Sequence, residues 1–509
     1  MIFLPTFRLR AAAFLLAASL CVPAQAMKRL EVDFEYVSKK AERLAQRNFK
    51  PAGKKTPEVL RNLDFDDYRK IRIVPEQTFW MSEGMPFQVQ FYHLGYLYNE
   101  PVAFNEFTKT HAQRIPYVPD FFDLKNLDFQ KSFSSGLDYA GFKLLYPLNN
   151  EQTPYDEAVS FLGASYFRAL GEGMHYGISS RGLAVNSGLA EPEEFPHFVE
   201  FWLEKPKGNS SQFLAYALLD SPSVTGAYQF YITPNGTTRM DIKARLFVRD
   251  EMKSLGIAPL TSMFWHGENG PTGVNDYRPE CHDSDGLLIE TSKERLWRPL
   301  DTHGETRLSY FRAEELVGFG LFQRDRNFDH YQDLNANYQD RPSVWVEPKG
   351  DWGSGHVRLV ELPAHREFAD NIVAFWESDK RLAPGESLDV EYSLYWTKLP
   401  VLNRAAVPMP LSTRIGDHLA EDGIKVFVVE FGQSKESDYW GSEPELEIEI
   451  SDNAYVSYST VEKNPHNDAW RVSLNVARKP GETRPVELRC LLQFDETIRS
   501  ETWTYQWIP

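Results

Sequence analysis

The chain has 509 residues, with 55 Lys and Arg against 72 Asp and Glu, and its formal net charge is −17. A surface this acidic argues against nucleic acid and anionic membranes as partners and suits a neutral ligand. Aromatic residues make up 14% of the chain. Exposed rings stack on sugars, but a large β-sandwich also places aromatic rings in its core, and composition does not separate the two uses.

Residues 1–26 are predicted to be a signal peptide. Arg8 and Arg10 form a short basic region, residues 11–20 are apolar, and Ala24-Gln25-Ala26 fits the small-x-small cleavage rule. Loss of the two arginines deepens the net charge from −17 to −19. No later stretch approaches twenty apolar residues. We therefore expect an exported soluble protein that begins near Met27 and has no membrane insertion.

The first mature segment is predicted to be helical, and most of the remaining chain to be strands. Phe34, Val37, Ala41 and Leu44 share one helical face between residues 33 and 48, and Thr56-Pro57 opens a second, short helix. Apolar residues then alternate with period two. The clearest strands are residues 87–91, 229–232, 239–247 and 357–362. Many short strands between turn residues predict an all-β fold with a large β-sandwich over residues 27–397.

The C-terminal part is predicted to be a second, smaller sandwich. Residues 388–396 place their apolar side chains on one face and close the first domain, and a proline-rich linker covers residues 398–410. Residues 411–509 contain short alternating strands about ten residues apart, which is typical of an immunoglobulin-like domain. Their predicted bounds are 425–431, 445–450, 455–461, 470–476, 486–494 and 503–507.

Several common reaction sites are absent from the sequence. It contains no Gly-x-Ser-x-Gly elbow, no phosphate loop and no His-Glu-x-x-His motif. Residues 325–329 begin like a calcium loop, but His330 replaces the required glycine and Ala336 replaces the bidentate Glu. Cys281 and Cys490 exclude a disulfide framework and leave one long-range bridge open. We predict no metal and no cofactor, which leaves carboxylate chemistry.

Two aspartates are the candidates for this chemistry. Asp283 lies in the stretch Tyr277–Leu287, which is rich in charged groups and leads through Gly286 into a strand. Asp370 stands just before the apolar, aromatic run 372–376, where loss of solvent would raise its pKa, as a general acid requires. A turn aspartate that bonds its own backbone is the structural alternative for each residue.

Three stretches carry a resemblance to a known family: His282-Asp-Ser-Asp285, Arg341-Pro-Ser-Val-Trp-Val346 and Asp370-Asn-Ile-Val373. The chain resembles the periplasmic glucan biosynthesis proteins G and D (the MdoG/OpgG and OpgD family) from about residue 33 to Trp507. The resemblance implies the two-domain arrangement, a periplasmic location, and action on the β-1,2-glucose backbone of osmoregulated periplasmic glucans. In the family's glycoside hydrolases the general base corresponds to Asp283 and the general acid to Asp370.

Further residues are predicted to contact the sugar by stacking or by bonding hydroxyls, and each has a structural alternative. For Arg181 the structural role is favoured. Asp351 is not chosen as the acid, because members of the family carry other residue types at that position. The predicted substrate-binding set is Tyr338, Arg341, Trp345, Glu347, His282, Asp285 and Arg181.

The sequence therefore predicts an anomer-inverting endo-β-1,2-glucanase or transglycosylase with no catalytic residue in 411–509. The alternative is a non-catalytic glucan-binding or scaffold protein of periplasmic glucan biosynthesis. The expected partner is β-1,2-glucan, while other glucan biosynthesis components and homo-oligomer formation stay open.

Overall fold

The computed structural model describes residues 31–51, 56–125, 136–152, 154–270, 274–367, 369–398, 407–432, 442–496 and 498–508. The predicted signal peptide and most of the predicted linker lie outside these ranges. No helix in the described ranges is both long and apolar enough to cross a membrane.

Helices are few and short in the described residues. The α-helices are α1 (Phe34–Ala45), α2 (Glu58–Arg61), α3 (Phe65–Tyr68) and α4 (Phe328–Tyr331), and the 3-10 turns are Pro75–Gln77, Met81–Glu83, Pro119–Phe121 and Tyr338–Asp340. Helix α1 confirms the prediction, because Asp33 caps it and Phe34, Val37 and Ala41 are buried. The second predicted helix also forms, but Thr56 does not cap it. Its hydroxyl donates instead to the carbonyl of Asn99 over 2.6 Å.

Strands dominate the described chain and confirm the predicted all-β class. In chain order they are β1 (Arg72–Ile73), β2 (Gln88–Tyr92), β3 (Ala103–Phe107), β4 (Ala112–Arg114), β5 (Phe122–Asp123), β6 (Gly141–Tyr146), β7 (Asp156–Leu162), β8 (Tyr166–Ala169), β9 (Ser179–Arg181), β10 (Leu183–Val185), β11 (His197–Glu204), β12 (Phe213–Asp220), β13 (Val224–Thr233), β14 (Thr238–Val248), β15 (Leu255–Ser262), β16 (Phe264–His266), β17 (Cys281–His282), β18 (Gly286–Thr291), β19 (Arg295–Pro299), β20 (Arg307–Arg312), β21 (Leu316–Phe322), β22 (Ser343–Lys349), β23 (Gly355–Glu361), β24 (Ile372–Ser378), β25 (Ser387–Thr397), β26 (Met409–Asp417), β27 (Ile424–Gly432), β28 (Glu445–Ile450), β29 (Ala454–Lys463), β30 (Trp470–Arg478), β31 (Val486–Gln493) and β32 (Thr502–Trp507).

Two large sheets face each other to form the main sandwich. One has ten strands in the order β2-β6-β7-β8-β9-β15-β24-β23-β20, with β10 paired to β15. The other has fourteen, in the order β28-β31-β32-β19-β18-β21-β22-β25-β14-β13-β12-β11-β3-β4. Phe161 of the first sheet packs edge-on against Phe201 and Phe230 of the second, at 5.3 and 5.2 Å between ring centroids. Many of the core's aromatic rings therefore fill the space between the sheets.

The C-terminal residues form a smaller sandwich that is continuous with the larger one. A four-stranded sheet, β26-β27-β30-β29, packs on β28, β31 and β32, and the predicted strands of this region are confirmed. Strand β32 pairs in parallel with β19, with Trp503 opposite Trp297, so one sheet runs through both parts. Because sheet and core are shared, the domain division at residues 397 and 411 stays a prediction.

Two details of this junction differ from expectation. Strand β26 begins at Met409, inside the predicted linker, because residues 409 and 410 pair with β27. The alternating face of residues 388–396 packs in the main core, as expected of a strand that closes the first domain. Trp297 and Trp345 of the main sandwich pack instead within the C-terminal core, a contact that the sequence did not predict.

Candidate functional site

The two candidate aspartates lie at the ends of neighbouring elements at one end of the main sandwich. Asp283 follows β17, and its backbone N–H donates to the carbonyl of Met263 over 2.8 Å. Asp370 precedes β24, which pairs with β15 up to Ser262. The side chain of Asn371 locks the two segments together, because it accepts from the N–H of Phe264 and donates to its carbonyl at 2.8 and 2.9 Å. The Asp-Asn pair thus has one exposed carboxylate and one structural amide.

Asp283 is a buried, ion-paired carboxylate. Its side chain is 8% exposed and contacts the guanidinium of Arg341, which stands just before β22. Burial raises the pKa of Asp283, and the positive charge of Arg341 opposes that rise. Since arginine stays charged at any ordinary pH, the contact favours the ionised form of Asp283.

Asp370 has a different environment. The residue is exposed, so a ligand can reach its carboxylate, although protein atoms crowd it on its inner side. Within the described residues it forms no hydrogen bond and no ion pair. Burial and the negative charge of Asp283 raise the pKa of Asp370, while the charges of Arg181 and Arg168 lower it. Asp283 and the two arginines are therefore near enough to Asp370 for their charges to act on its carboxylate.

Arg181 is fully engaged with protein groups. Its side chain is buried, its Nε donates to Thr261 at 2.8 Å, and its Nη1 pairs with Glu193 at 2.7 Å. The guanidinium also lies 4.6 Å from the centre of the Tyr166 ring. The arrangement favours the structural role, with its charge acting on Asp370 from a distance.

Tyr338 lies at the site but offers no surface to a sugar. It is 0% exposed, its hydroxyl donates to Glu367 at 2.6 Å, and it accepts from the thiol of Cys281 at 3.2 Å. The guanidinium of Arg341 lies 4.1 Å from the centre of its ring. Tyr338 therefore orients Arg341, and its expected stacking on the substrate is corrected to a supporting role.

Trp345 and Glu347 are not brought to the two aspartates. Val344 and Val346 of β22 face the main core, so Trp345 and Glu347 lie on the opposite face of the strand. Trp345 is 1% exposed and packs in the C-terminal core, and Glu347 accepts from the hydroxyl of Tyr395 at 2.6 Å. The predicted sugar contact of the buried Trp345 is corrected for this reason, while that of the half-buried Glu347 stays a prediction.

His282 and Asp285 hold the loop around Asp283. His282 is buried between Glu280 and Gln323, at 2.8 and 2.9 Å from its two ring nitrogens. Burial opposes protonation of His282, but the hydrogen bond and charge of Glu280 outweigh it and raise the pKa. Asp285 accepts the backbone N–H groups of residues 324 and 325, both at 2.8 Å. These bonds account for His282, whereas both bonds to Asp285 end on its Oδ2 and its buried Oδ1 has no hydrogen-bond partner among the described residues, so the sugar contact of Asp285 stays a prediction.

Some residues near the site were not assigned a role from the sequence. Tyr277 is 75% exposed, and the guanidinium of Arg278 lies 5.7 Å from its ring centre. Arg278 also pairs with Asp276, Asp333 and Glu367 at 2.8, 2.9 and 3.1 Å. This network ties together the loops that carry Asp283, Arg341 and Asp370. In the sequence, Tyr277 stands beside charged residues and a proline, a pattern that could have indicated an exposed aromatic ring.

One group of side chains has the spacing of a metal site. The ligand atoms of Glu280, Asp325 and His330 lie within 4.8 Å of one another. Glu280 already bonds His282, and His330 bonds Asp325, so these groups satisfy each other. Residues 325–329 lead into α4, with Asn327 as its cap, rather than forming a calcium loop. Cys281 and Cys490 are buried free thiols and form no bridge.

Comparisons with known proteins identify the family. The family model described as "Periplasmic glucan biosynthesis protein, MdoG" matches residues 32–507. The chain is 39% identical to "Glucans biosynthesis protein G" of Pectobacterium atrosepticum over 506 residues, which cover 96% of each chain. It is 40% identical to the protein of the same name from Dickeya dadantii over 482 residues, or 92% of each chain. The chain therefore belongs to the MdoG family of periplasmic glucan biosynthesis proteins.

Proposed function

We propose that this protein is a periplasmic enzyme that cleaves or transfers β-1,2-linked glucan, with Asp370 as general acid and Asp283 as general base. The observation that carries the proposal is a pair of interacting carboxylates with unequal surroundings: Asp370 is exposed and has no bonding partner among the described residues, whereas Asp283 is buried and paired with Arg341. Burial raises the pKa of both groups, but the charge of Arg341 opposes the rise at Asp283, whereas the charge of Asp283 adds to the rise at Asp370, and this asymmetry supports a base at Asp283 and an acid at Asp370.

Asp370 suits the acid. Its raised pKa helps it hold a proton near neutral pH, and its exposure lets it reach a glycosidic oxygen. The proton passes to the leaving oxygen as the C–O bond breaks. No side chain in the described residues competes for the carboxylate in the free enzyme.

Asp283 suits a base that acts at a distance. Arg341 favours its ionised form, and its burial keeps bulk water away from most of the carboxylate. The proton of the attacking water would reach it through intervening waters and substrate hydroxyls. Inverting enzymes hold their carboxyl groups roughly 6.5–9.5 Å apart to admit water, and a relay would lengthen that separation.

The second candidate function is a glucan-binding protein without catalysis. One observation favours it: Asp283 is buried against Arg341, as a purely structural carboxylate would also be. A protein of this kind would bind β-1,2-glucan around the exposed Asp370 and leave its chain length unchanged. In that case Asp370 would serve only to bond hydroxyls.

The deciding measurement is the release of new reducing ends from short β-1,2-linked glucose oligosaccharides. Replacement of Asp283 or Asp370 by Asn removes proton transfer and keeps side-chain size, so the rate should fall by about 10²–10⁴-fold. The double variant should be scarcely slower than the slower single variant, since both groups act in one transition state. Glucan binding should survive in all three.

Asp452→Asn is the matched control, because the side chain of Asp452 is 82% exposed on the C-terminal sandwich and pairs there with Arg484 at 3.2 Å. Each variant is first compared with the wild type by its melting temperature. Full activity of Asp370→Asn would refute the assignment of the acid. Absence of new reducing ends from the wild type, with glucan bound, would replace the enzyme by the binding protein. The anomer released, followed by proton NMR, tests inversion.

A further inference from the structure

A second pocket opens between the two large sheets, at the end of the sandwich opposite the aspartates. It has a volume of about 180 Å³ and is lined by parts of β15, β24 and β25 and by Asp351-Trp352 of the β22–β23 loop. Asp370 stands before the first residue of β24, whereas the pocket lies at its last residues, Trp376 to Ser378. Eight residues of strand separate Asp370 from Ser378, about 26 Å.

Two tryptophans form the apolar part of this pocket. Trp352 is half-buried, and its ring centre lies 5.3 Å from that of Trp376 and 5.9 Å from that of Tyr392. Its own N–H donates to the carbonyl of Glu391 at 3.3 Å, which fixes the ring at the entrance. A fixed, partly open indole is the surface on which a pyranose ring stacks.

Trp376 contributes a polar group that lacks a partner. The residue is 2% exposed, and its indole Nε1–H has no acceptor among the described residues. A buried donor without an acceptor costs about 1–3 kcal/mol. Trp376 lines the pocket, so a ligand bound there would change the surroundings of this N–H.

The charged groups of the lining leave little net attraction for an ion. Lys253 and Lys380 pair with neighbouring glutamates, and Glu377 and Asp389 pair with neighbouring arginines. Asp351 and Arg381 also line the pocket and form no ion pair among the described residues, but their charges are opposite in sign. Because the lining charges are either paired or balanced, a neutral ligand fits better than a charged one.

We propose that this pocket binds one glucosyl unit of a neutral β-linked glucan, as a second sugar site remote from the cleft. A cavity of roughly 150 Å³ holds a benzene ring, so a pocket of this size admits a single six-membered sugar ring. One glucan chain held at both sites would keep its cleft-bound segment at high effective concentration. The choice of glucan rests on the proposed function, but the pocket itself does not.

The test is calorimetric titration of the full chain with long β-1,2-glucan. Trp352→Ala removes the stacking ring, and Leu388→Trp fills the pocket from β25 while keeping both tryptophans. Each should weaken binding by about tenfold or more. Tyr458→Ala, which removes an exposed ring of the C-terminal sandwich, should bind as the wild type does. In a second measurement, β-1,2-linked glucose disaccharide should shift the indole N–H resonance of Trp376, assigned by its loss in Trp376→Phe.

Wild-type affinity in a folded Leu388→Trp variant, or an unmoved Trp376 resonance at saturating disaccharide, would overturn the second site. If Trp352→Ala fails to fold, Leu388→Trp and the resonance still decide the question. Glucan binding without new reducing ends would overturn the proposed reaction alone, since both readouts of the pocket would remain. A wild type that binds no β-1,2-glucan would overturn both proposals.

Discussion

The ion pair between Arg341 and Asp283 offers a direct test of the charge assigned to the proposed base. In Arg341→Met the side chain keeps much of its length but loses the cation that opposes the burial of Asp283. The pKa of Asp283 should then rise further, because its ionised form has lost the attraction that favours it. The acid limb of the activity profile should move to higher pH, since a base must be deprotonated to act.

The size of the effect follows from the burial of the pair. The side chains of Asp283 and Arg341 are only 8% and 16% exposed, so removal of one partner should cost about 3–5 kcal/mol. That energy corresponds to roughly 2–4 pKa units. A carboxylate whose pKa is raised by folding destabilises the folded state as pH rises from its unfolded value toward the raised one. The decrease in the free energy of unfolding of Arg341→Met should therefore be largest at pH 8 and smaller near pH 4.

The assay is the free energy of unfolding in denaturant at several pH values, together with the pH profile of glucan cleavage. Arg312→Met is the control, because the Arg312–Asp379 pair has a similar 2.7 Å contact but side chains 56% and 40% exposed. It should lose less than about 1 kcal/mol. Adding Asp283→Asn to Arg341→Met should recover most of the loss at pH 8. A loss that is equal at pH 4 and pH 8, or that Asp283→Asn leaves unchanged, would refute the reasoning.

Three further predictions concern the loops and the junction around the site. Burial raises the pKa of Glu268 to about 7, so its charge destabilises the folded protein at pH 8. Glu268→Gln should therefore be more stable than the wild type by on the order of 1–3 kcal/mol at pH 8, and this gain should be lost near pH 4.5. An equal difference in stability at both pH values in urea titrations would contradict this. A Cβ at Gly286 would lie 2.0 Å from the ring of Trp297, so Gly286→Ala should lower the free energy of unfolding by about 1–3 kcal/mol, and an unchanged melting temperature would show that the ring moves freely. Removal of residues 407–509 should expose Trp297 and Trp345 and cause aggregation in size-exclusion chromatography, and a monomeric, folded fragment that ends at residue 406 would refute this expectation.

Gly286 was correctly predicted to mark the start of a strand, but the reason for a glycine at this position is different from the predicted one. From the sequence this glycine marks a turn before a strand. In the structure it is the first residue of β18, and its lack of a side chain makes room for Trp297 of the neighbouring strand. The strand follows from the local pattern, whereas the need for glycine follows from the packing of a neighbouring residue.

The sequence by itself determined the elements and the candidate chemistry of this protein. Alternation with period two located β14, β25 and β28 within one or two residues, because every second residue of a strand with one buried face is apolar. The helical spacing of Phe34, Val37 and Ala41 located the start of α1 within one residue and its end within three. The short motifs around Asp283 and Asp370 indicated the family and the two carboxylates.

Only the tertiary structure decided what each face meets. Arg341 reaches Asp283, while Trp345, four residues later, packs under the C-terminal sandwich, because β22 is covered on both sides by segments distant in sequence. The pairing of β19 with β32 joins residues about two hundred positions apart, and no local pattern encodes such a pairing. Periodicity reports that a side chain is buried, but the partner that buries it depends on long-range strand order, and that order set the environments of both aspartates.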